Sequence, residues 1–196
     1  LTQEQLAHTV FPLGEFSKSK TRAIAEASGL GNAHKPDSQD ICFVPDGDYA
    51  AAIERLTGKT AAPGNFIDAD GNIIGIHRGI THYTVGQHRG LGLSLPERRY
   101  VCKIDAKSGT VTLGGNDELY SREVHVSNFN WISGQVPTGS IRCTAKIRYR
   151  QPEQPATVTP VGEDEVVILF DEPQRAVTPG QSAVLYDGNI VSAAVR

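Results

Sequence analysis

Cys42 stands between Ile41 and Phe43, at the end of the polar run Lys35-Pro36-Asp37-Ser38-Gln39-Asp40. A thiol in this setting has two uses. Between apolar neighbours it can pack as a small hydrophobe. At the point where a loop enters a strand it can be exposed and act as a nucleophile. Asp37 and Asp40 oppose thiolate formation, so a catalytic Cys42 needs a base or cation from elsewhere. Cys102 lies in the strand-like Tyr100-Val101-Cys102-Lys103-Ile104, and Cys143 points inward in an alternating run, so both read as core residues. Three cysteines without CxxC spacing make neither a disulfide framework nor a zinc ribbon, and they fit a reducing compartment.

The second chemical feature is positive charge. From Ile141 to Arg150 the even positions are Arg142, Thr144, Lys146, Arg148 and Arg150, and the odd ones Ile141, Cys143, Ala145, Ile147 and Tyr149. Side chains alternate between the faces of a strand, so this pattern sets a basic ladder against an apolar face. Two readings stand. The ladder tracks phosphates, or it is a solvated face balanced by Glu163, Asp164, Glu165, Asp171 and Glu172. Another basic cluster holds His77, Arg78, His82, His88, Arg89, Arg98 and Arg99, with Glu97 as its only acid. The histidine spacing and the lack of grouped carboxylates speak against a metal site. Gly86, Gly90 and Gly92 surround Gln87 and allow close approach to another backbone.

These residues must be held by elements that the chain itself signals. Its 196 residues, 39% hydrophobic, can fill a core, and the net charge of -3 admits nucleic acid only through clustered cations. No apolar run has the length of a membrane span and no signal-peptide pattern opens the chain, so a cytoplasmic protein is expected. The sequence has no Met and starts at Leu1, which suggests a piece of something longer. Thr2-Gln3-Glu4-Gln5 is a capping-box pattern for a helix ending near Phe11-Pro12. A second helix is predicted over Lys18–Ser28, with Ala23, Ile24 and Ala27 as its apolar stripe and Gly29 closing it. A third runs from Tyr49 to Leu56, capped by Asp46 and closed by Gly58. Beyond Lys59 turn signals recur at Pro63-Gly64, Asp70-Gly71, Lys107-Ser108-Gly109, Gly114-Gly115, Pro137-Thr138-Gly139, Pro179-Gly180 and Asp187-Gly188, with short β-rich runs between them. This is the rhythm of small antiparallel barrels.

Five stretches together resemble one family. They are Phe11-Pro12-Leu13-Gly14, the segment Lys35 to Phe43, His82-Tyr83-Thr84-Val85-Gly86-Gln87-His88-Arg89-Gly90-Leu91-Gly92, Arg148-Tyr149-Arg150-Gln151, and Phe170-Asp171-Glu172-Pro173 with Thr178-Pro179-Gly180-Gln181. In kind and order they resemble the C-terminal two-thirds of the tRNA-specific 2-thiouridylases. The resemblance implies a mainly β chain with a short helical N-terminal segment. Residues 1–58 would be the tail of an α/β adenylation (ATP-pyrophosphatase) domain carrying Cys42. Residues 59–119 would be a small central β domain, and 120–196 a C-terminal antiparallel β-barrel that binds tRNA.

The resemblance also implies a reaction: ATP-dependent adenylation of C2 of the wobble uridine U34, then sulfur transfer from a persulfide. The persulfide cysteine maps to Cys42, and the tRNA-contacting positions to Arg148, Tyr149 and Gln181. Gln87, Arg89, Lys146 and Arg150 are weaker candidates. The ATP loop, with the Mg that accompanies ATP, and the second cysteine, which forms a disulfide during sulfur release, are expected upstream of Leu1. No metal is expected in residues 1–196. Expected partners are the tRNA anticodon region and a sulfur-donor protein, a sulfur carrier or cysteine desulfurase, with no membrane. The rival readings are a non-catalytic RNA-binding β module with a structural Cys42, and a ribosome-binding barrel like those of translation factors.

Overall fold

A computed structural model describes residues 1–36, 44, 47–149, 151–188 and 190–195. The chain divides into two compact units, Leu1–Ala52 and Ile53–Arg196.

The first unit is helical. In α1 (Gln3–Ala7) the capping box is formed: Thr2 Oγ1 accepts the Gln5 N–H at 3.2 Å, and Gln5 Oε1 accepts the Thr2 N–H at 2.9 Å. The helix stops well before Phe11. His8 Nδ1 and Thr9 Oγ1 turn back onto the Glu4 and Gln5 carbonyls, 2.8 and 2.5 Å away, and such side-chain bonds compete with helix propagation. The next helix, α2 (Lys18–Ala27), is capped by Ser17 Oγ. It ends in a Schellman turn: Gly29 has φ +68°, its N–H reaches the Glu26 carbonyl, and the Leu30 N–H reaches that of Ala25.

The expected apolar stripe of α2 is not buried; Ile24 is 42% exposed. The only buried apolar residues described in this unit are Ala33, Val44 and Ala52, too little surface to cover a helix face. The third helix is α3 (Tyr49–Thr57), and Asp46, its expected cap, lies outside the described residues. Asp48 Oδ1 accepts the Ala51 N–H at 3.0 Å. Gly58, at φ +66°, closes α3 as expected.

The second unit is built on two sheets. The first contains β1 (Gly64–Ile67), β2 (Ile73–His77), β3 (Tyr100–Asp105) and β4 (Thr110–Gly114) in the order β2-β1-β4-β3. Two antiparallel hairpins are joined by a parallel β1–β4 pair. The Asp70-Gly71 and Lys107-Ser108-Gly109 signals are hairpin turns, tied by Asp68 and Asp105 to backbone N–H groups that follow them. Pro63-Gly64 is not a turn: Gly64 opens β1, where a Cβ would strike the Gly109 carbonyl and the His77 ring. Phe66, Tyr83, Leu91, Val101, Val111 and Leu113 form the core. The Phe66 ring meets the His77 and Tyr83 rings edge-on at 5.3 and 5.1 Å.

The second sheet is wholly antiparallel. It contains β5 (Tyr120–Val126), β6 (Phe129–Trp131), β7 (Ile141–Lys146), β8 (Gln154–Pro160), β9 (Val166–Arg175), β10 (Val184–Asp187) and β11 (Ile190–Val195). Its order is β5-β9-β8-β7-β10-β11-β6. The two end strands are consecutive in sequence, separated only by Ser127 and Asn128. A two-residue link cannot cross a flat seven-stranded sheet, since strands lie ~4.8 Å apart. The sheet therefore curls back on itself in the manner of a barrel. Inward positions alternate along the strands: Val166, Ile168 and Phe170 on β9, and Ala156 and Val158 on β8. The chain is mainly β, as its turn rhythm predicts.

Candidate RNA-binding site

The basic ladder is only partly a ladder. The strand β7 ends at Lys146, and the chain bends over 147–149. Alternation lapses there, and Tyr149, expected on the apolar face, is 93% exposed. Arg142 is ion-paired with Asp171, one of the acids expected to balance the ladder. Hydrogen bonding to Arg142 holds the Asp171 carboxyl below the usual carboxylate range. Lys146 is half-buried and forms no ion pair among the described residues. Arg150 lies outside them.

Arg148 is half-buried, and its Nη2 donates to the Ala176 carbonyl and to Thr178 Oγ1, the latter at 3.1 Å. Thr178 Oγ1 itself donates to the Ala176 carbonyl at 2.8 Å. Ala176 is buried and left-handed, with φ +54°, a conformation that costs a non-glycine residue about 1–2 kcal/mol. Its N–H is bound to the Leu119 carbonyl at 2.6 Å. From this point the chain enters the Thr178–Gln181 turn, in which the Gln181 N–H faces the Thr178 carbonyl at 3.4 Å, and the Gln181 side chain is exposed.

The Gln87 loop reaches the same place. Gly86, at φ +90°, backs onto Ala176: a Cβ at Gly86 would sit 3.2 Å from the Ala176 methyl. Gln87 folds its own loop, with Oε1 accepting the Thr84 N–H at 3.0 Å and Nε2 donating to the Arg89 carbonyl at 2.9 Å. Arg89 is exposed. Three stretches far apart in sequence thus converge on Ala176. Next to Gln181, a cavity of about 550 Å³ is lined by Val126, Ser127, Ile147, Thr178 and Ala183 among others.

This geometry suits RNA: an exposed aromatic ring for a base, an amide for its edge, and cations nearby. It offers little to a metal. Among the described residues no three His, Cys, Asp or Glu side chains are placed to hold one. Of the three clustered histidines, His77 is committed to structure: its Nε2 contacts the Gly109 carbonyl at 3.0 Å, and its Nδ1 accepts the Gly79 N–H at 3.1 Å. No described helix is long and apolar enough to cross a membrane.

Three family models match consecutive parts of the chain: a tRNA methyl transferase HUP domain over residues 1–46, a tRNA methyl transferase PRC-barrel domain over 53–115, and an aminomethyltransferase beta-barrel domain over 121–192. The tRNA-specific 2-thiouridylase MnmA of Acetivibrio thermocellus is 51% identical over 191 residues, which are 97% of this chain and 53% of that protein. That of Clostridioides difficile is 46% identical over the same shares. The chain belongs to the tRNA-specific 2-thiouridylase family. It spans about half the length of the curated relatives it matches.

Among the residues expected to act in a 2-thiouridylase, Arg148 and Gln181 are brought close through Thr178, and Tyr149 projects beside Arg148. Lys146 ends β7 just before them. Cys42 lies outside the described residues. Cys102 and Cys143 are free and half-buried, and burial pushes both thiols above the usual range. Sequence reasoning missed Ala176 and the bonding role of Thr178. Thr178 stood in a turn that the sequence marks, but nothing in the sequence announces a left-handed alanine.

Proposed function

We propose that the chain is the persulfide-bearing and tRNA-binding part of an enzyme that 2-thiolates the wobble uridine of tRNA. On this reading residues 1–58 end the adenylation domain, 59–119 form the central domain and 120–196 bind tRNA. The observation that carries it is the ordered match of three family domains along residues 1–192, with 46–51% identity to named 2-thiouridylases.

The chemistry runs in balanced steps. The uridine O2 attacks the α-phosphorus of ATP and expels pyrophosphate. The outer sulfur of a Cys42 persulfide, charged by a sulfur-donor protein, then attacks C2, and AMP leaves. A second cysteine thiolate attacks the Cys42 sulfur, which frees the 2-thiouridine and leaves a disulfide. Splitting the sulfur transfer over a covalent carrier makes each of its two steps, after adenylation, a displacement by a thiolate-type sulfur. In this chain Tyr149 and Gln181 would hold unpaired anticodon bases, with Lys146 and Arg89 near the phosphates.

The test is Cys42→Ser in the intact protein, with 2-thiouridine measured in digested tRNA. The expected outcome is loss of thiolation with tRNA affinity unchanged. Thiolation that persists would overturn the role of Cys42.

A further inference from the structure

Arg148 and Gln151 flank Tyr149 in sequence, and each is hydrogen-bonded to the end of β9 or the residues just after it. Arg148 Nη2 donates to Ala176 and Thr178. Gln151 Nε2 donates to Oε1 of Gln174, which is buried and whose Nε2 in turn donates to the Glu172 carbonyl at 2.7 Å. The Gln151 N–H returns to the Arg148 carbonyl at 3.3 Å, closing a turn. Tyr149, 93% exposed, makes no side-chain hydrogen bond among the described residues.

We infer that Arg148 and Gln151 are positioning residues: together they bracket the turn that presents Tyr149, and Arg148 also fixes the turn that presents Gln181. The inference rests on reading this face as the RNA site, and it changes what Arg148 does there. A guanidinium that moved to a phosphate would give up two bonds and leave the carbonyl of buried Ala176 without its arginine partner, which opposes the move. Held in place, the same group links the turn that carries Tyr149 to the turn that carries Gln181. Ordering those two turns before RNA arrives removes their backbone entropy from the binding step.

Two measurements test this. The first is the affinity of the chain for unmodified tRNA across a salt series. A lost phosphate contact lowers the slope of log K against log salt by about 0.7–0.9. Arg148→Ala is expected to weaken binding with the slope of the wild type, and to cost little more in a Tyr149→Ala, Gln181→Ala background. Thr178→Val, which changes no charge, is expected to weaken binding in the same way. A reduced slope in Arg148→Ala with a neutral Thr178→Val would overturn the proposal.

The second measurement is hydrogen exchange without RNA. Amides around Tyr149 are expected to exchange faster in Arg148→Ala and in Gln174→Leu, and those of 177–181 faster in Arg148→Ala, with β8 unchanged. Unaltered exchange would overturn the bracket. A wild-type chain that binds no tRNA would sink the RNA reading, and exchange would still decide the bracket.

Discussion

Arg142 on β7 reaches past Thr157 of β8 to Asp171 on β9, its Nη1 2.6 Å from Asp171 Oδ1 and 3.3 Å from Thr157 Oγ1. One cation of the ladder is therefore neutralised within the sheet. Asp171 is held below the ordinary carboxylate range, first by the hydrogen bond from Arg142. A depressed folded pKa contributes stability that is present above the unfolded value and is lost as pH falls through the folded one. Arg142→Ala is expected to raise the Asp171 midpoint toward the ordinary range, seen by carboxyl NMR titration, and to weaken the acid dependence of unfolding. Both partners are exposed, so the change at neutral pH is small. An unmoved midpoint would show that the pair does not persist in solution.

Phe170 is fully buried at the centre of the curled sheet, against β8, where its Cα partner is Ala156. Small Ala156 makes room for the ring, so truncation leaves a void that neighbours cannot fill. Phe170→Ala is expected to cost about 3–5 kcal/mol in urea unfolding. Ile168→Val, in the same row, is expected to cost about 0.5–1.5 kcal/mol.

The inward residues of β7, Ile141, Cys143 and Ala145, were legible in advance because a strand's period of two fixes which face each residue takes. Turns set by glycine were equally legible, as at Gly71, Gly109 and Gly188, all left-handed. Reading failed where tertiary bonds override local pattern. Tyr149 falls on an apolar position of the run, but β7 has already ended when the chain reaches it. Arg148 looks like a surface cation, and only the fold brings Ala176 and Thr178 under its guanidinium. The α2 stripe was read from period alone, and period does not say whether an apolar face has a partner.

His77 is 2% exposed and uses both ring nitrogens, bridging Gly79 on its own chain segment to Gly109 in the β3–β4 turn. His77→Leu keeps the volume but leaves one N–H and one carbonyl without their imidazole partner. Each such loss costs about 1–3 kcal/mol. The expected result is a lower urea midpoint together with faster exchange of the Gly79 amide. A stable His77→Leu protein with a protected Gly79 amide would mean that another group takes over the bond.

The thiols separate the enzyme reading from its rival. Cys102 is raised first by burial and then by the charge of Glu118, and Cys143 mainly by burial. At neutral pH both are protonated, and a thiol attacks only as its thiolate. Folding holds these protons, so the stability they contribute is complete below the ordinary thiol pKa and is lost as pH rises through the folded values. Iodoacetamide is therefore expected to modify Cys102 and Cys143 slowly near pH 7.5, rapidly only after unfolding, and with midpoints above that of a free thiol. Under the same conditions a persulfide donor is expected to add a sulfur atom to the peptide containing Cys42 and to neither of the others. Persulfide spread evenly over all three would remove the selectivity that carrier chemistry needs. Persulfide on none of them, with tRNA still bound, would leave the chain as an RNA-binding module.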